Sequence, residues 1–182
     1  MQYYSKITLK DGRECVIYSG NEEDGEVTLD LFNKTHEETD FLLTLPDECN
    51  FTVQEQSDYM KKKYDSENEV ELIATVDGVP AGIGGVDAVH NRIKTRHRAD
   101  FGVSVLREYG GIGIGRALLE ACIELAKKAG YEQLELDVVA DNANAVSLYK
   151  SVGFTEYGRN PRGFKSPVSG YQELIQMRLE LR

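Results

Sequence analysis

Four glycines, Gly110, Gly111, Gly113 and Gly115, crowd between the strand-like run Val103-Ser104-Val105 and the helix-like run Arg116-Ala117-Leu118-Leu119. Strand, glycine turn and helix start in direct succession build an anion site. The first amides of a helix have no partner within it, and the helix dipole places partial positive charge there. Glycine lets the backbone close tightly around phosphate oxygens, so a pyrophosphate is the guest this loop suits. Two phosphate motifs with strict side-chain demands do not fit. Gly110 to Gly115 has the spacing of a P-loop, but Arg116 and Ala117 stand where Lys and Ser or Thr must be, which removes the metal-ligating hydroxyl. A dinucleotide GxGxxG begun at Gly111 would need glycine or alanine at Arg116, and one begun at Gly113 would need it at Leu118. Glu135 and Asp137 stand roughly where a ribose-binding acid would be, so a nicotinamide enzyme stays open as a distant alternative.

The glycine loop and the apolar helix after it resemble the central Q/RxxGxG motif of GNAT acetyltransferases, with Gly110 where Gln or Arg often stands. A second stretch, Asn142-Ala143-Asn144-Ala145-Val146-Ser147-Leu148-Tyr149-Lys150-Ser151-Val152-Gly153-Phe154, resembles the NxxAxxLYxxxGF helix of the same family. Together the two span about Ala99 to Phe154, and the ordered pair is far more specific than either alone. The resemblance implies acetyl-CoA as cosubstrate, no metal, and direct acetyl transfer to an amine in a ternary complex. It implies that the backbone of Gly111, Ile112, Gly113, Ile114, Gly115 and Arg116 holds the pyrophosphate. It also implies that the backbones of Val103 and Val105, on a strand splayed from its neighbour, pair with pantetheine, and that Asn142 contacts the pantetheine arm. The plainer readings, ordinary strand valines and a helix N-cap at Asn142, stand beside these.

Attack by an amine requires a free lone pair, and an alkylamine of pKa near about 10.4 is mostly protonated at neutral pH. Asp100, Glu38, Asp40 and His97 are candidate proton acceptors. Asp100 comes first, because the strand it occupies supplies an acidic base in some GNAT relatives. Expulsion of the CoA thiolate is helped by a proton donor, and a phenol near about 10 can serve. Tyr149 matches the family's acid, against the alternative that it packs at helical spacing with Ala145 and Val152. A non-catalytic acyl-CoA sensor on the same fold would keep the glycine loop and need neither base nor acid.

These residues need a scaffold, and the pattern of the chain supplies one. Ile7 and Leu9, the Asp11-Gly12 turn and Cys15 to Tyr18 predict a hairpin at about 5–18. Asn21 to Asp24 cap a helix carrying Val27, Leu31 and Phe32, and Thr52-Val53-Gln54-Glu55 opens a second through about Tyr64. The acids of Glu37 to Phe41 sit badly with a helix C-terminus, so an extended loop is expected there. Val70 to Val76 and Val79 to Val89 flank Asp77-Gly78 as a hairpin, Asn91 to Arg98 is a basic connection, and Ala99 to Val105 reads as a strand. Ile114, Leu118, Ala121 or Cys122, and Leu125 form one helical stripe that stops at Gly130. Leu134 to Val139 is a strand, and Asn142 to Ser151 a helix with Ala145, Leu148 and Val152 inward. Strands near Thr155 to Gly158 and Glu173 to Leu179 close the chain, joined by a loop from Arg159 to Tyr171; the resemblance implies that Glu37 to Phe41 helps form the acceptor pocket and that this loop covers its other side, and a plain exposed connection is the alternative for both. The expected architecture is one α/β (α+β) domain over 1–182, a mixed, mainly antiparallel, twisted sheet flanked by helices.

Composition sets the remaining bounds. The 182 residues suit a single core. No long apolar run and no signal-like start appear, which predicts a cytoplasmic protein without membrane attachment. Cys15, Cys49 and Cys122 form no CxxC pair, so neither a disulfide framework nor a zinc site is expected. The formal charge of −10 opposes a nucleic-acid partner and suits a cationic amine acceptor. The sequence leaves the oligomeric state open, a homodimer being common among similar proteins.

Overall fold

A computed structural model of the chain describes residues 1–48 and 50–181. Its elements follow in the order β1 (Tyr4–Thr8), β2 (Glu14–Ser19), α1 (Gly25–Glu38), α2 (Val53–Asp65), β3 (Val70–Val76), β4 (Val79–Ala88) and β5 (Arg98–Val105). After the glycine loop come α3 (Ile114–Lys128), β6 (Gln133–Val139), α4 (Ala143–Ser151), β7 (Thr155–Ser166) and β8 (Gly170–Glu180). One eight-stranded sheet runs in the order β1-β2-β3-β4-β5-β6-β8-β7. Every neighbouring pair is antiparallel except β5 and β6. The mixed sheet and both early hairpins agree with the sequence pattern.

The two faces of the sheet follow from alternation along the strands. On β3, Val70, Leu72, Ala74 and Val76 join the core under α3, which contributes Ile114, Leu118, Leu119, Cys122 and Leu125. Ile73 faces the other way, into a smaller cluster with Leu31 of α1, Met60 of α2 and Leu106. Glu71, two residues before Ile73, shares that α1–α2 face. Helix α2 begins at the predicted capping box, with Thr52 and Glu55 exchanging hydrogen bonds. Its Lys63, 2 % exposed, donates to the Asp87 carboxylate of β4 and lies 3.8 Å from Glu69. Cys15 and Cys122 are buried free thiols, whereas Cys49 lies outside the described residues. No helix among the described residues is long and apolar enough to cross a membrane.

Three segments differ from expectation. Helix α1 continues through Glu38, so only the residues from Thr39 onward leave the helix. Arg107 explains this: its guanidinium donates to the Glu38 carbonyl and its amide to the Glu38 carboxylate at 2.7 Å, supplying the positive charge a helix C-terminus favours. The expected loop from Arg159 to Tyr171 is instead the outer part of the β7–β8 hairpin. Shifts of register between Glu156 and Gly158 and between Asn160 and Phe164 absorb the residues that read as loop, Pro161 and Gly163 among them. On α4 the buried residue is Tyr149, while Ala145, Leu148 and Val152 are half-buried.

The feature that shapes the site is a fork. Strands β5 and β6 pair only at Arg98–Gln133, Ala99–Leu134 and Asp100–Glu135. Beyond that point β6 continues against β8, while Phe101 to Val105 keep β4 on one side and leave the other edge open. An unpaired strand edge presents a row of backbone donors and acceptors ready for an extended partner.

Candidate active site

The open edge of β5 leads directly into the glycine loop. Gly113 caps α3 with φ +115° and makes no side-chain cap bond, and Gly111 has φ +78°. Both values lie in the left-handed region that strains other residues. A Cβ placed on either glycine would meet nothing within 4 Å, so the loop faces open space. The amides at the start of α3 therefore border this open space, with the positive end of a helix behind them.

That space forms one end of a cavity of about 580 Å³ whose walls include Val105, Gly111, Gly113, Gly115, Arg116 and Asn142. Six predicted site residues are thus brought together. Ile112 and Ile114 belong to the same loop through their backbone, while their side chains pack on the core. Asn142 lines the cavity, and its side chain caps α4 by accepting from the Ala145 amide at 3.3 Å. Ala145 and Leu148, read as core, form part of the cavity wall. Arg116 donates to Ser151 at 2.6 Å and so ties the start of α3 to the end of α4.

Lys10 also lines this cavity, and sequence reasoning did not single it out. It precedes the Asp11-Gly12 turn, and its amide donates to the Ile112 carbonyl at 3.2 Å, docking the N-terminal hairpin against the glycine loop. Only the fold brings residue 10 beside residue 112. Its ammonium adds positive charge to a phosphate-sized cradle on an acidic protein.

Tyr149 stands at the fork, buried behind the cavity walls and lining neither cavity itself. Its ring meets Phe101, the first residue past the last β5–β6 pair, edge-on at 6.2 Å, and Phe154 at 5.8 Å. Burial pushes its phenol up to about 12, so the hydroxyl keeps its proton at neutral pH.

A second cavity, of about 370 Å³, opens on the α1–α2 face. Gly102, Val103 and Ser104 of β5 line it, and Val105 lines the first, so consecutive residues of the open strand border the two cavities. Val103 borders this cavity and not the first. The opposite walls are Phe32 and His36 of α1, Leu42, Leu43 and Phe51 of the connecting loop, and Gln56 and Tyr59 of α2. The floor carries Glu71, Ile83 and Asp87. His36 stacks on Phe32 at 3.7 Å, and its Nδ1 donates to the Phe32 carbonyl at 2.7 Å. Burial lowers its pKa, which keeps it neutral. Glu71 accepts a long hydrogen bond from Tyr59 Oη, 3.5 Å, and burial pushes its carboxyl up to about 7.

The candidate bases read from the sequence lie elsewhere. Asp100 borders a separate polar depression with Arg98, Glu135 and Asp137, outside both cavities. Burial and the nearby Glu135 charge raise its pKa. Glu38 is held by Arg107. Asp40 accepts from Ser169 at 2.6 Å and Ser166 at 2.7 Å, hydroxyls that lower its pKa, and its carbonyl accepts from Gln172 at 2.9 Å. It therefore fastens the loop after α1 to the β7–β8 hairpin. The His97 carbonyl accepts from the amides of Glu132 and Gln133, just before β5 begins.

Comparison with known proteins places this geometry in context. Residues 37–154 match the model of the acetyltransferase (GNAT) family. An L-amino acid N-acetyltransferase of Escherichia coli K12 is 34% identical over 110 residues, covering 58% of this chain and 67% of that protein. The ribosomal protein bS18-alanine N-acetyltransferase of the same organism is 38% identical over 81 residues, 44% of this chain and 54% of that protein. Among solved structures, a GNAT-family acetyltransferase from Streptococcus pneumoniae superposes with a TM-score of 0.87 at 29% identity, covering 91% of this chain and 99% of that one. The yncA protein of Salmonella typhimurium, solved with its cofactor acetyl-CoA, shares the fold at a TM-score of 0.82 and 19% identity, over 92% of this chain and 94% of that one.

Proposed function

Because this chain belongs to the GNAT acetyltransferase family, we propose that it moves an acetyl group from acetyl-CoA to a primary amine by direct attack, with both substrates bound at once. The observation that carries this reading is the three-pair contact between β5 and β6, which opens the Phe101–Val105 edge between two cavities. One cavity has phosphate chemistry at its end, and the other has carboxylates at its floor. The fold relative solved with acetyl-CoA supports acetyl-CoA as the cosubstrate.

The residues present fit that cosubstrate. The uncapped amides of Ile114, Gly115 and Arg116, with Gly111, Gly113 and Lys10, would hold the pyrophosphate. The backbones of Val103 and Val105 would pair with the extended pantetheine arm as a further strand would, with Asn142 opposite. Acetyl-CoA bound there supplies an activated thioester whose carbonyl accepts an amine. Tyr149 at the fork would donate a proton to the departing sulfur, since its high pKa keeps the hydroxyl protonated. The amine would enter from the α1–α2 face. Asp100 lies outside both cavities, which favours a base elsewhere.

Formal charge of −10 supports a cationic acceptor, and the need for acetyl-CoA supports a cytoplasmic setting. The test is thiol release from acetyl-CoA against a panel of amines. Amine-dependent release supports the reading, and release that no amine accelerates, in protein that binds CoA, counts against it.

A further inference from the structure

Resting on the acetyl-transfer reading, we infer that the acceptor is a small primary amine bearing an apolar or aromatic group and no carboxylate, held with its ammonium on Glu71 in the α1–α2 cavity. The walls decide the apolar part: Phe32, Phe51, Tyr59 and Ile83 surround a space of about 370 Å³, towards the small end of ligand pockets, which run from roughly 300 to 1,000 Å³. The charges decide the rest. Glu71 and Asp87 lie at the floor, and among the described residues lining the cavity there is no lysine or arginine. A carboxylate on the ligand would face two carboxylates with no cation to receive it, a costly burial. The nearby cation, Lys63, is committed to Asp87 and Glu69 and does not line the cavity.

Of the two floor acids, Glu71 has the geometry of an anchor. Register places Glu71 beside Gly85 and Gly85 beside Gly102, in one line across β3, β4 and β5. Strands lie about 4.8 Å apart, so a carboxylate leaning over Gly85 projects towards the open strand where Gly102 leaves space. Asp87, by contrast, already receives Lys63. The Glu71 carboxylate takes one proton from the ammonium and becomes a carboxylic acid. The freed nitrogen lone pair forms the C–N bond at the thioester carbonyl, the C–S bond breaks, the sulfur receives a proton from Tyr149, and the second proton lost by the nitrogen restores Tyr149 to its phenol form. The amide product is uncharged, so it loses the ion pair that held the substrate and departs.

The acid limb of the rate profile then belongs to Glu71, whose surroundings are Tyr59 and Lys63 from α2, Asp87 from β4, Glu69 just before β3 and a neutral His36 from α1. Its midpoint falls near pH 7, with the carboxylate active above it. The Asp87 charge raises the Glu71 pKa, so Asp87→Asn moves the limb to lower pH.

The experiment compares 2-phenylethylamine, L-phenylalanine amide and L-phenylalanine as acceptors at saturating acetyl-CoA. The amine and the amide should exceed L-phenylalanine by about 10-fold or more in kcat/KM. Equal or better use of L-phenylalanine overturns the inference. Transfer to polyamines or peptides but not to 2-phenylethylamine overturns it while leaving acetyl transfer standing, whereas no transfer to any amine removes both. Glu71→Gln should lose about 10²-fold or more in kcat for 2-phenylethylamine, lose the acid limb and keep its affinity for CoA. An undiminished rate in that folded variant removes Glu71 from the site.

Discussion

The carboxylate of Glu71 lies across Gly85: a Cβ built on Gly85 would stand 2.6 Å from Glu71 Oε2 and 3.2 Å from the Val70 carbonyl oxygen. Glycine at 85 is thus what lets an acidic side chain on β3 lie flat over β4 and reach towards β5. Gly85→Ala should push the carboxylate aside at modest cost, because the group it meets most closely is the free end of a flexible chain. We expect kcat/KM for the amine to fall about 10-fold or more, with CoA affinity unchanged by calorimetry. An alanine variant with full activity would mean that the position of Glu71 does not matter.

Gly113→Asp tests the phosphate cradle. The substitution puts a side chain on a residue at φ +115° and a negative charge in front of the α3 amides. Open space around the position allows the fold to persist, with some loss from the left-handed backbone of about 1 kcal/mol. CoA affinity should drop by about 10²-fold or more. Unchanged affinity in the folded variant would relocate the pyrophosphate.

Glu71 should also cost the protein stability. Its pKa in the folded state is about 7, above the roughly 4.3 of an unfolded chain, so the folded state binds the extra proton between those values. Stability contributed by this group therefore falls as pH rises from about 4 to 7, and the deficit is complete above the folded pKa. Glu71→Gln cannot ionise. Its stability relative to wild type should rise between pH 5 and pH 8 by on the order of 1 kcal/mol after discounting for the partial solvent access of Glu71, which is about 2–4 °C in Tm. A difference that stays constant across that range would show that Glu71 titrates normally.

Tyr149→Phe keeps the ring between Phe101 and Phe154 and removes only the hydroxyl. The aromatic contacts should survive, so Tm should change little. Loss of a general acid should lower the single-turnover rate by about 10²-fold, with CoA affinity intact. A wild-type rate would make Tyr149 a packing residue.

Much of the first cavity was legible in the sequence because its parts are contiguous. A strand, a glycine turn and a helix start are encoded within Val103 to Leu119, and Asn142 to Phe154 repeats that economy. Lys10 and Glu71 were not legible, since each reaches its place through long-range pairing: one through a hairpin docked on Ile112, the other through two steps of strand register. Alternation along Val70 to Val76 sets Glu71 on the face away from the main core, and only the packing of α1 and α2 shows what it faces. Pro161 and Gly163 read as loop because their local signal is real. The register shifts of β7 accommodate them in a strand, which no short-range rule reveals. The acids Glu38 and Asp40 looked catalytic by type, and the fold spends them on Arg107 and on Ser166, Ser169 and Gln172.

The central claim is that acetyl passes directly from thioester to amine across the open edge of β5. Rapid quenching of a single turnover, with enzyme in excess over acetyl-CoA and 2-phenylethylamine saturating, measures it most directly. The N-acetylated amine and free CoA thiol should appear together, at one rate and in equal amounts, with no acetylated protein preceding them. Thiol released ahead of the amide, with acetyl found on the protein or as acetate, would contradict direct transfer.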